Sequence, residues 1–155
     1  MGAIVSDDRV SRLRAVESMD RRIVEQLSRD GRMSYTDLGK VLGLSTSAVH
    51  QRVRRLEERG VITGYRAVVD HSALGHPLSA FISITPIDPS EPDDVPERLR
   101  DLTEIEACHS VAGDMSYVLK VRVGTPSDLE EIIARIRAAA NVTTRTTVVL
   151  STPWE

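Results

Sequence analysis

The chain has 155 residues, enough for one ordinary domain or two small ones. Its 41% apolar and 28% charged content suits a folded globular protein, and only 3% aromatic residues require a mainly aliphatic core. A single cysteine, Cys108, excludes an internal disulfide, no apolar run reaches the length of a membrane span, and Met1–Val10 has no signal-peptide hydrophobic region, so a reducing, cytoplasmic setting is expected. The net charge of −3 is unevenly spread: residues 1–66 carry 13 Lys+Arg against 9 Asp+Glu, and residues 67–155 carry 7 against 14. A basic front half suits phosphate, and an acidic back half suits another task.

Met1–Ala15 is polar, with Arg9, Arg12 and Arg14 spaced along it. It reads as a loose terminus or an arm that touches nucleic-acid backbone. A helix is expected from an N-cap at Ser18 to Gly31, burying Ile23 and Leu27, with Met19 as a further candidate.

From Ser34 to Tyr65 the chain reads as two helices joined by a tight turn. Ser34 caps the first helix, with Asp37 at the capping-box position. That helix runs to about Leu42, and Gly43 supplies a left-handed turn. Ser45 caps the second helix and Gly60 stops it. At 100° per residue Val49, Val53 and Leu56 form its buried stripe. Ser45, Thr46, Ser47, His50, Gln51 and Arg54 face outward, with Arg55 toward an edge. Short polar side chains near its start suit base edges, and the arginines suit phosphates or guanines. Arg52 lies nearer the apolar stripe and is expected to form an ion pair within the domain.

Val61–Asp70 suggests a turn and then a strand, and Gly75 and Pro77 mark a linker. Leu78–Thr85 reads as a strand with Leu78, Ala80, Ile82 and Ile84 on one face and Phe81 on the other. A proline-rich loop follows. Asp94 is the expected cap of a helix bearing Val95, Leu99 and Leu102, with Glu97 at the capping-box position. Ile105–Val111 and Tyr117–Val123 are strands, separated by the turn 112–116. Thr125, Pro126 and Asp128 begin a second helix lined by Leu129, Ile132, Ile133 and Ile136. Val142–Leu150 is the last strand, with Thr144, Thr146 and Val148 on one face. The order is that of a ferredoxin-like βαββαβ domain. Two helices cover one face of such a sheet, and apolar residues expected on the other face predict a dimer by sheet-on-sheet packing.

Several residues carry a resemblance that runs roughly from Ser18 to Leu150. They are Asp20, Ile23, Leu27, Gly31-Arg32, Leu38, Gly43-Leu44-Ser45, Val49, Arg52-Val53, Arg55-Leu56-Glu57, Gly60-Val61-Ile62 and Gly64-Tyr65. In them the chain resembles the Lrp/AsnC "feast/famine" transcription regulators, most closely the actinobacterial members. The resemblance implies an α+β protein. A tail or arm would occupy 1–17, a winged-helix-like helix-turn-helix DNA-binding domain 18–64, and a hinge strand and linker 65–77. A RAM effector-binding and oligomerisation domain would span 78–152. It also implies double-stranded DNA and an amino acid as partners, dimers assembling to octamers, and a nucleoid-associated location.

The family shows Gly-x-Tyr/Phe-Asp where this chain has Gly113, Asp114, Met115, Ser116 and Tyr117. Effectors of the family bind there, between dimers. Here Met115 replaces the aromatic residue and Ser116 the acid, leaving Asp114 as the one carboxylate in the turn. Glycine lets backbone N–H groups approach a carboxylate, and an acidic side chain holds an ammonium. Thr144 and Thr146 are candidate contacts from the second side.

Enzyme readings find little support. Cys108 and His109 are strand neighbours on opposite faces. His50, His71 and His76 lack partners at metal-ligand spacing, and the glycines form no phosphate loop. No cofactor or metal is expected. The alternative to a ligand-responsive regulator is an architectural, weakly specific DNA-binding protein whose C-terminal domain mainly assembles or senses metabolites.

Overall fold

The computed structural model describes residues 17–88, 90 and 93–154. The expected N-terminal arm at 1–17 lies almost wholly outside them. The chain forms two compact units that divide between Val68 and Val69.

The first unit holds three helices, α1 (Ser18–Arg29), α2 (Tyr35–Leu42) and α3 (Thr46–Glu58). Ile23, Leu27, Leu38, Leu42, Val49, Val53 and Leu56 fill its core. Burying each such side chain stabilises the fold by about 1.5–3 kcal/mol. Ser34 caps α2 by accepting from Asp37 N at 3.1 Å, and Ser45 caps α3 by accepting from Ala48 N at 3.2 Å. Gly43 is left-handed at φ 71°. Gly60, at φ 66°, closes α3 in a Schellman motif, in which Val61 N donates to Leu56 O at 2.8 Å and Gly60 N to Glu57 O at 2.9 Å.

Gly39 has a further reason to be glycine. Its carbonyl accepts from Leu44 N at 2.9 Å, and a Cβ at this position would stand 2.6 Å from Leu44 O. The turn therefore closes directly onto the backbone of α2.

Three local expectations are corrected. Glu17, not Ser18, precedes α1, and no side chain caps it. Asp30, in extended conformation, ends that helix one residue before Gly31. No strand forms over Arg66–Asp70. Val68 there is 99% exposed, and β-branched residues without a neighbouring strand have no ladder to join.

The second unit is a four-stranded antiparallel sheet in the order β2-β3-β1-β4, formed by β1 (Leu78–Pro86), β2 (Ile105–Ser110), β3 (Tyr117–Val123) and β4 (Val142–Val148). Two helices, α4 (Val95–Leu99) and α5 (Pro126–Ala140), cover one face. Ala80, Ile82 and Ile84 of β1 pair with Val121, Leu119 and Tyr117 of β3, and all six are buried. The α5 start forms as read: Thr125 accepts from Asp128 N at 3.2 Å, and Asp128 accepts from Thr125 N at 2.8 Å.

The strands alternate more cleanly than expected. The open face carries Phe81 and Val118 among Ser83, Thr85, Lys120, Arg122 and Arg145, so its apolar area is small. α4 ends at Leu99, and Leu102 packs on the core from the turn beyond it. Asp94 does not cap α4 through its side chain, because that carboxylate pairs with Arg98 at 2.9 Å.

Candidate functional site

The α3 helix turns Val49, Val53 and Leu56 inward with no exposed surface. That orientation puts Ser47, His50, Gln51, Arg54 and Arg55 in solvent, beside the exposed Ser45 and Thr46 at the helix start. The start is braced by hydroxyl contacts. Ser45 Oγ lies 3.1 Å from Ser47 Oγ, and Thr46 Oγ1 lies 3.4 Å from Thr36 Oγ1 on α2. The His50 ring meets the edge of Tyr35 with centroids 5.6 Å apart at 68°, which limits its swing. Arg54 Nε donates to Glu58 Oε1 at 2.8 Å, yet its side chain is 71% exposed. An exposed pair of this spacing stabilises by only a few tenths of a kcal/mol, about 0.3–0.5, so the guanidinium is readily surrendered to an outside anion.

Arg52 behaves differently. Its Nη1 lies 2.7 Å from Asp20 Oδ1 and 3.0 Å from Glu17 Oε2. It ties α3 to α1 and is not part of the outward face.

Tyr65 and Glu57 were not anticipated as a pair. Tyr65 donates its hydroxyl to Glu57 Oε1 at 3.0 Å, mooring the chain that leaves the unit onto the last turn of α3. Burial, then Glu57, push the phenol pKa up to about 12, so it remains a donor.

In the second unit a cavity of about 500 Å³ opens at the end of the sheet where β1 leaves and β2 turns into β3. Gly113, Met115, Ser116 and Tyr117 of the predicted turn line it. Asp114 does not line it and points no charge into it from this chain. Its other walls come from Thr85, Pro86 and Asp88 at the end of β1, from Asp93 before α4, and from Ser110–Ala112. Gly113 sits at φ 139°, inside the range that favours glycine, and a Cβ there meets open space. Thr85 Oγ1 contacts Met115 Sδ at 3.5 Å. The Tyr117 hydroxyl donates to Asp93 Oδ1, and burial, then this carboxylate, push the phenol up to about 12.

Thr144 and Thr146 pair with Ile84 and Ile82, on the helix-covered side of edge strand β4. Thr144 Oγ1 accepts from Arg137 Nε at 2.8 Å. They do not line the cavity within one subunit. Thr85, Asp88, Asp93 and Ser110 were missed as lining residues. The one signal available was the acidic, proline-broken loop 86–94, read only as a connection.

Among the described residues no group of three or more His, Cys, Asp or Glu is placed to hold a metal. Cys108 is free, and burial, then Glu97, raise its thiol pKa, which disfavours a reactive thiolate.

Residues 18–57 match the family model described as an AsnC-type helix-turn-helix domain, and residues 79–155 match the Lrp/AsnC ligand binding domain. The chain is 53% identical over 138 residues to the HTH-type transcriptional regulator LrpA of Mycobacterium tuberculosis, covering 89% of this chain and 92% of that protein. It is 36% identical over 140 residues to the leucine-responsive regulatory protein of Escherichia coli, covering 87% and 85%. The solved feast or famine regulatory protein of M. tuberculosis, complexed with L-methionine, matches with a TM-score of 0.89 at 52% identity over 91% of this chain and 96% of that one. These relatives are transcription regulators, not enzymes. With both domain models matched in order and an outward polar helix and a lined cavity where they belong, the chain belongs to the Lrp/AsnC family of transcription regulators.

Proposed function

We propose that this regulator reads double-stranded DNA sequence-specifically through α3 and that an amino acid bound at the 113–117 cavity modulates it. The observation that carries the reading is the division of labour inside α3. One stripe is fully buried while Ser47, His50, Gln51 and Arg54 stay exposed on a braced helix. That is the arrangement by which helix-turn-helix proteins place a helix in the major groove. The DNA contacts are Ser45, Thr46, Ser47, His50, Gln51, Arg54 and Arg55.

The effector contacts are Gly113, Met115, Ser116 and Tyr117 from one subunit, with Asp114, Thr144 and Thr146 supplied across an assembly. The L-methionine complex of the M. tuberculosis relative supports an amino acid as ligand. The subunit pairs through the open sheet face around Phe81 and Val118. Dimers assemble further to an octamer, in the cytoplasm on the nucleoid. Ligand bound between dimers shifts that assembly and so the spacing of the reading helices.

The test is titration of duplex DNA with the full chain at several salt concentrations. Sequence preference that survives added salt supports specific reading. A uniform, salt-sensitive loss of all binding favours an architectural role instead.

A further inference from the structure

We infer that the 113–117 cavity selects an amino acid with a basic side chain, through Asp88 and Asp93. The inference rests on the effector reading above and names the ligand class. Among the described residues of one subunit, the charged side chains lining the cavity are these two carboxylates, with no Lys, Arg or His among them.

Each aspartate is held in place. Asp88 Oδ1 accepts from Ser90 Oγ at 2.6 Å and Ser90 N at 2.8 Å, and these bonds hold its pKa below the usual carboxylate value. Asp93 Oδ1 accepts from Tyr117, whose side chain is buried and whose phenol stays protonated. A phenol that only donates fixes the orientation of the carboxylate that accepts from it. Tyr117 is therefore a positioning residue that fixes one anion in the wall.

The charge count then discriminates between ligands. A zwitterionic amino acid brings one ammonium for two aspartates. Its own carboxylate must turn away from them, toward the Ser110 and Ser116 hydroxyls and the glycine turn. An apolar side chain leaves the second aspartate without a counter-charge. A basic side chain supplies one, and its methylene stem runs along Met115, which is apolar and adaptable. One additional ion pair in a site open to solvent is worth roughly two- to fivefold in affinity.

The experiment is calorimetric titration of the full chain with L-lysine and with L-norleucine, which has the same stem without the second ammonium, at low and high salt. L-lysine should bind about two- to fivefold more tightly, and the preference should shrink with salt. Asp88→Asn and Asp93→Asn should each weaken L-lysine binding more than L-norleucine binding and so reduce the preference. Tyr117→Phe should weaken it without altering cavity charge. Equal or tighter binding of L-norleucine overturns the charge selection and leaves the effector reading standing. Failure of both ligands, and of the remaining amino acids, overturns both.

Discussion

Arg52 Nη1 stands 2.7 Å from Asp20 Oδ1, and Asp20 retains only 4% of its surface in solvent. A carboxylate so placed is tolerable because it is paired. Removing the guanidinium strands the charge, at a cost of about 2–3 kcal/mol. Arg52→Met should therefore lower the denaturation midpoint of the first unit, followed by circular dichroism in urea. An unchanged midpoint would show that water satisfies Asp20 as well as arginine does.

Arg54 tests the other side of the same helix. Its side chain is 71% exposed and tied only to Glu58. Arg54→Ala should weaken operator binding by roughly tenfold, as loss of a phosphate or guanine contact does. Its circular dichroism should match that of the parent chain. Full affinity with an intact spectrum would remove Arg54 from the reading face.

How much of this was legible in the residues depended on the range of the interaction. The α5 start is decided within four residues, by Thr125, Pro126 and Asp128, and it forms as read. The Val49–Val53–Leu56 stripe and the inward bias of Arg52 follow from helical angle alone. The cavity does not, because Asp88, Asp93 and Tyr117 come from separate stretches joined by the sheet topology. The same holds for 66–70, whose strand-forming side chains need a neighbour that no local pattern supplies. Gly39 carries no local signal of its role, which lies in the approach of Leu44 O from the turn.

Gly113 separates the two activities. Its φ of 139° disfavours any side chain, and a threonine there would project toward the ligand's approach. Gly113→Thr should reduce the effector's influence on DNA binding several-fold while DNA affinity without effector stays within about twofold, since the turn lies in the other unit. Mobility shifts with and without amino acid measure both quantities. A normal effector response would take Gly113 out of the site.

Acid should loosen the second unit through Glu106 and Glu104. Burial alone would raise the Glu106 pKa, but Arg122, with its Nε 2.6 Å from Glu106 Oε1, outweighs it, helped by Lys120 and His71, and the net shift is downward. A backbone N–H bond, offset in part by burial and reinforced by Arg135, lowers Glu104. A carboxylate depressed on folding contributes stability that is complete above its unfolded value, near 4.5 here, and fades as pH falls through the folded value. Thermal melts should therefore be flat in this contribution above about pH 5 and fall steadily below it. Glu106→Gln should flatten that acid limb, and an unaltered slope would assign the loss to other groups.

The close seat of Leu44 on Gly39 separates presentation from vocabulary. This backbone contact, together with the buried stripe of α3, sets the angle at which the helix is offered, so exposed positions such as 51 and 54 can drift without tilting it. A lineage of such regulators can thus acquire new target sites by surface exchange alone, provided position 39 never gains a methyl group.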